Sequence, residues 1–110
     1  MRRIAALLGA TAVAAGAFGA HALESRVTPE RLETWHTASS YHLVHAVALL
    51  ALSLAPVPRR LTSVLFLCGI LIFSGSLYTL VLLDLPILGA ITPIGGVCFI
   101  AGWLNLARGR

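Results

Sequence analysis

The sequence predicts an all-α membrane protein, a bundle of four transmembrane helices. Three observations carry that expectation. Long apolar stretches fill most of the 110 residues. The composition is 58% hydrophobic and 11% charged, whereas soluble domains carry roughly 25% charged residues. The arginines, in a chain without lysine, gather as Arg2 and Arg3, Arg59 and Arg60, and Arg108 and Arg110, at alternate ends of the apolar stretches. A net charge of +4 invites a nucleic-acid reading. The pairing of the arginines at stretch boundaries, with no basic stripe and no interleaved aromatics, argues against it.

The expected spans are about 4–23, 38–55, 61–83 and 88–107, in one membrane domain over residues 1–110. A bilayer core needs about 20 helical residues. The first stretch has a basic start and an Ala20-His21-Ala22 segment that fits a signal-peptidase site. Its apolar run exceeds the 7–15 residues of a usual signal core, so retention as a span is expected. Its small residues Ala5, Gly9, Ala12, Gly16 and Gly19 recur at steps of three and four and share one helical face. In lipid, close backbone approach holds helices together, so this helix is expected to be central.

Thr28-Pro29-Glu30 reads as an N-cap, a proline at the first helical position and an acid in the first turn. A short outer interfacial helix is therefore expected between spans one and two, with Leu32 and Trp35 facing lipid or the bundle; continuation of this helix into the second span is the alternative. Pro56 and Pro58 end the second stretch, and Asp84-Leu85-Pro86 forms a tight turn between spans three and four. Four spans put both termini and the Pro56–Arg60 connection on one side, with arginines and no acid. Arg26 and Arg31 lie on the other side with Glu24, Glu30, Glu33 and Asp84. The predicted topology is N-in and C-in. Expected seam residues are Gly16, Gly19, Gly75, Gly95 and Gly96, with Gly69 and Gly102 beside them. Cys68 and Cys98 fall inside apolar stretches with no metal or redox spacing, and read as small apolar residues.

Polar groups are costly in lipid, so their depth is informative. Counting inward from the outer boundary at about 1.5 Å per residue, His21 lies about 3 Å in, Tyr41 and His42 about 5 Å, and His45 about 10 Å. Tyr78 and Thr92 come to about 6–8 Å and Ser76 to about 10 Å. The candidate polar site is thus His21, Tyr41, His45, Ser76, Tyr78 and Thr92. Interhelical hydrogen bonding is the first reading of these groups. A site for a metal, haem, quinone head group or proton is the second. His21, His42 and His45 number enough for zinc but lack an acid at matching depth. Two histidines on different helices meet the minimum for axial haem ligation without specifying it. Ser76 with His45 lacks a placed acid for hydrolysis. No catalytic residue, cofactor or metal is assigned.

Gly16-Ala17-Phe18-Gly19-Ala20-His21 resembles the signature of the YgdD-like family of small membrane proteins. Tyr41 with His45, Phe73-Ser74-Gly75-Ser76-Leu77-Tyr78, and Thr92-Pro93-Ile94-Gly95-Gly96 followed by Phe99, Gly102 and Trp103 are similar to its other blocks. The resemblance implies four spans, retention of the first, and no settled activity. His42 lies outside that pattern, so His21 and His45 carry more weight. The expectation is a non-catalytic accessory or interaction protein of the bacterial inner membrane. Its partners would be the lipid bilayer and a larger membrane complex or a second copy of the chain. A small-ligand or cofactor binding or transport protein using the polar site is the alternative.

Overall fold

A computed structural model describes residues 1–109. Arg110, one of the arginines expected on the inner side, lies outside the described residues. The described chain forms four long helices, and its long axis measures 46 Å, about the full thickness of a bilayer with its headgroups. Helix α1 spans Arg2–Leu23, α2 Pro29–Ser53, α3 Arg60–Leu83 and α4 Thr92–Ala107. A 3-10 segment, Pro86–Ala90, leads into α4. Three of the helical stretches, Arg2–Leu23, Arg60–Leu83 and Pro86–Ala107, are long and apolar enough to cross a membrane.

Helix α2 is 25 residues long, and its histidines and serines make it the most polar of the four. It begins where the sequence places a cap. The Thr28 side chain accepts from the Arg31 backbone N–H at 3.2 Å, and Pro29 occupies the first turn, where its missing donor costs nothing. The separate outer interfacial helix is not formed. The same cap starts a helix that runs unbroken into the second apolar stretch, because nothing between Glu30 and Ser53 interrupts helical hydrogen bonding. Trp35 is accordingly buried in the bundle.

Helix α1 packs on α2, α2 on α3, and α3 on α4. The expectation that α1 is central is overturned. Its buried positions are Ala5, Ala12, Gly19 and Leu23, a single narrow strip turned to α2. A strip this bare admits one close neighbour and leaves Leu7, Val13 and Phe18 exposed. The core instead lies around α2 and α3, where Leu49, Phe66, Ile70 and Phe99 pack with Ala5, and Trp35, Ala38, Leu77, Leu80 and Val81 pack with Leu23.

Two helices widen locally to a π turn, α1 at Gly19–Leu23 and α3 at Ile70–Ser74. Each sits where a side chain of one helix bonds the backbone of another. The Trp35 indole N–H donates to the Ala15 carbonyl at 2.7 Å, just before the first π turn. The Ser74 hydroxyl donates to the buried Ala38 carbonyl at 2.8 Å, at the end of the second. Such turns upset the regular backbone ladder, and these cross-helix bonds fix the helices at the same places.

Helix α3 stops at Asp84, which takes a left-handed conformation (φ 54°). Aspartate tolerates that region better than most side chains. The Leu85 N–H closes back on the Leu80 carbonyl at 3.1 Å, satisfying an end-of-helix acceptor. The Asp84 carboxylate then pairs with Arg31 of α2 at 3.1 Å, and Arg31 also donates to the Leu80 carbonyl. The start of α2 is thereby tied to the end of α3.

Candidate functional site: the intramembrane polar clusters

The candidate polar residues form separate groups rather than one site. The first joins three helices through His42. Its Nδ1 lies 2.8 Å from the Tyr78 hydroxyl of α3, and its Nε2 lies 3.3 Å from the Thr11 hydroxyl of α1. The Thr11 hydroxyl donates its one hydrogen to the Leu8 carbonyl at 3.0 Å. It therefore accepts from His42 Nε2–H, which leaves Nδ1 to accept from Tyr78 O–H. The chain of donation runs Tyr78, His42, Thr11, Leu8, and every partner is satisfied.

The second group joins α2 to α4 through His45. A carbonyl can only accept, so His45 Nδ1–H donates to the Tyr41 carbonyl at 2.8 Å. An indole N–H can only donate, so Trp103 Nε1–H donates to His45 Nε2 at 3.0 Å. His45 is thus the neutral Nδ1–H tautomer, the opposite of His42. Its ring stacks on Phe99 at a centroid distance of 3.7 Å and meets Phe66 edge-on at 5.1 Å. Both histidines are buried, 6% and 4% exposed, and neither ring keeps a nitrogen lone pair for a metal or haem iron.

The third group pairs the Ser76 and Thr92 hydroxyls of α3 and α4 at 2.6 Å. One hydroxyl donates to the other, and the acceptor of that bond turns its own hydrogen to a carbonyl, Ser76 to Phe73 of α3 or Thr92 to Leu88 of the 3-10 segment before α4. A fourth contact lies at the arginine-rich end, where Thr62 donates to Asn105 Oδ1 at 2.7 Å.

His21 joins none of these. It is exposed on α1, in the π turn. Among the described residues, no three His, Cys, Asp or Glu side chains form a group that could hold a metal ion. Tyr41 is 45% exposed, and its ring lies against Phe73 and stacks with His45 and Phe99. Its contribution to His45 is its backbone carbonyl, not its hydroxyl. A shallow groove of about 220 Å³ lies beside Ser40, Tyr41, Val44 and His45. Sequence reasoning undervalued His42, missed Thr11, and named Trp35 and Trp103 without their hydrogen-bonding roles. His42 had a legible signal, because Trp35, Ala38, His42, His45 and Leu49 recur at steps of three and four.

The expected seam glycines divide by what a methyl group would meet. A Cβ on Gly95 would lie 2.7 Å from the Phe73 Cα, and one on Gly19 2.8 Å from the Trp35 indole nitrogen. Gly69 faces the Phe99 ring and Gly102 the Phe66 ring in the same way. Gly16 and Gly96 have only ordinary contacts, with Ser39 and Phe73 at 4.0 and 3.9 Å. Gly75 has nothing within 4 Å, so it is not a seam residue. It faces open space at the helix surface. Cys68 and Cys98 are free and half-buried.

Known proteins place the chain more firmly than its chemistry does. A family model described as "Protein of unknown function (DUF423)" matches residues 15–96. A UPF0382 membrane protein of Staphylococcus saprophyticus is 44% identical over 110 residues, covering 96% of this chain and 92% of that protein. The UPF0382 membrane protein YwdK of Bacillus subtilis is 46% identical over 101 residues, covering 86% and 82%. A UPF0382 membrane protein of Schizosaccharomyces pombe is 41% identical over 111 residues, covering 94% of each. No solved structure matches the chain. The chain is a membrane protein that belongs to the DUF423 family, the UPF0382 membrane proteins.

Proposed function

We propose that this protein is a non-catalytic, four-span component of the bacterial inner membrane, acting as an accessory or interaction partner of a larger membrane complex or of a second copy of itself. The observation that carries this reading is the full commitment of His42 and His45. Each has both ring nitrogens bonded within the chain, to partners on other helices or on the same one. Groups used in this way join helices, and neither ring is left over as a base or a metal ligand.

Four spans, with α2 as the second, are supported by the disposition of its side chains. Ser39, His42 and His45 are buried, while Leu43, Val44 and Val47 are exposed. A helix with polar groups inward and aliphatic groups outward suits lipid. The N-in, C-in orientation rests on the arginine distribution, and a single membrane domain over residues 1–110 rests on the continuous packing from α1 to α4. The narrower YgdD-like assignment rests on the block residues quoted above.

Partner capture tests the accessory role. The protein is extracted in mild detergent at native expression and analysed by native mass spectrometry. One defined partner, or a second copy, retained at fixed stoichiometry supports the reading. A solitary chain at all detergent concentrations contradicts it.

A further inference from the structure

We propose that the arginine-rich end of the bundle holds the phosphate of an anionic phospholipid in a cleft between α1, α2 and α3. The cleft measures about 440 Å³. Arg2, Arg59 and Arg60 line it with Ser53 and Ser63, and no acidic residue does. The acids of this chain, Glu24, Glu30, Glu33 and Asp84, belong to the opposite end.

Arg59 Nη1 is sealed from solvent and makes no hydrogen bond among the described residues. A guanidinium nitrogen stripped of water and left without an acceptor is costly, and a small rotation of the Arg59 side chain toward an anion in the cleft would supply the acceptor. The start of α3 adds to the field. Arg59 occupies its cap position and offers no side-chain cap, so the first-turn N–H groups and the positive end of the helix dipole face the same region. A guanidinium binds a phosphate diester in fork geometry.

A lipid is favoured over a free ion by the rest of the lining. Leu52, Ala55 and Val64 add apolar surface to the cleft lining, which suits the glycerol and first methylenes below a headgroup. Basic pockets between spans at the headgroup level commonly take such lipids. This inference rests on the membrane location and is independent of the accessory role.

The test uses the full chain in mild detergent, mixed with phosphatidylglycerol or phosphatidylcholine and observed by native mass spectrometry. One phosphatidylglycerol should be retained in preference to phosphatidylcholine. The double variant Arg59→Gln, Arg60→Gln should weaken that retention about thirtyfold, whereas Arg59→Lys should keep most of it. Arg26→Gln, at the opposite end, should leave it unchanged. Arg60→Gln alone, at an exposed position, gives the same readout if the double variant does not fold. Equal retention of the two lipids, or equal loss in the Arg26 variant, overturns the site. Complete competition by millimolar inorganic phosphate overturns the lipid assignment and leaves an ion site instead.

Discussion

Gly95→Ala should push α3 and α4 apart, and the structure sets the size of the effect. The added methyl would lie 2.7 Å from the Phe73 Cα and Cβ. Carbon atoms settle at about 3.5–4.0 Å, so the helices must separate by about 1 Å. Because the obstacle includes backbone, no rotamer change relieves it. One turn away on both helices, the Ser76 and Thr92 hydroxyls are 2.6 Å apart. The same displacement takes them to about 3.6 Å, beyond a hydrogen bond. Overpacking costs about 1–3 kcal/mol, and the lost hydrogen bond adds about 1 kcal/mol. The better helix propensity of alanine returns about 1 kcal/mol. Gly75→Ala gains the same propensity and meets nothing within 4 Å, so it is the matched control. Denaturant unfolding in detergent micelles should therefore place Gly95→Ala about 2–4 kcal/mol below Gly75→Ala. Equal stability of the two variants would refute the close approach of α3 and α4 at this point.

Other consequences follow from the hydrogen-bond partners. Tyr78→Phe keeps the ring and removes the donor to His42, and should cost about 0.6–1.5 kcal/mol. A double-mutant cycle with Thr11→Val should show coupling, since His42 bridges the two residues, and strict additivity would break that link. Trp103→Phe removes the donor to His45 Nε2 and some packing on Phe66; a lowered unfolding midpoint with unchanged helix content is expected. Arg31→Gln breaks a pair whose Asp84 side chain is 84% exposed, so the loss should stay below about 1 kcal/mol and shrink as salt rises. A larger, salt-independent loss would mean that the bond to the Leu80 carbonyl dominates.

The axial layout of the fold was legible in the sequence, and the rotational layout was only partly so. Apolar runs, prolines and the Thr28 cap locate helix ends because each acts locally on the backbone. Depth along a helix follows from simple counting, which is why His45, Ser76, Tyr78 and Thr92 fell in one zone. Which way a side chain points is harder to read in helices that are apolar all round. The phase was still recoverable in places. His21 lies two residues from both Gly19 and Leu23, which are buried, so it points away from the packed strip. His42 continues the Trp35–Ala38 face of α2 and points inward. Thr11 and Trp103 could not be found this way, because their roles depend on which helices become neighbours. The central place given to α1 failed for a related reason. Small residues mark where one helix can approach closely and do not say how many helices do.

The most direct measurement is the ring protonation pattern of His42 and His45 by nitrogen NMR on labelled protein in lipid bilayers. If both histidines are internal helix clamps, His45 should appear as the neutral Nδ1–H tautomer and His42 as the neutral Nε2–H tautomer, with no metal-induced shift. Trp103→Phe should alter the His45 Nε2 signal alone. Reversed tautomers, a metal-bound ring or a fully protonated ring would contradict the clamp reading and return the weight to a binding site.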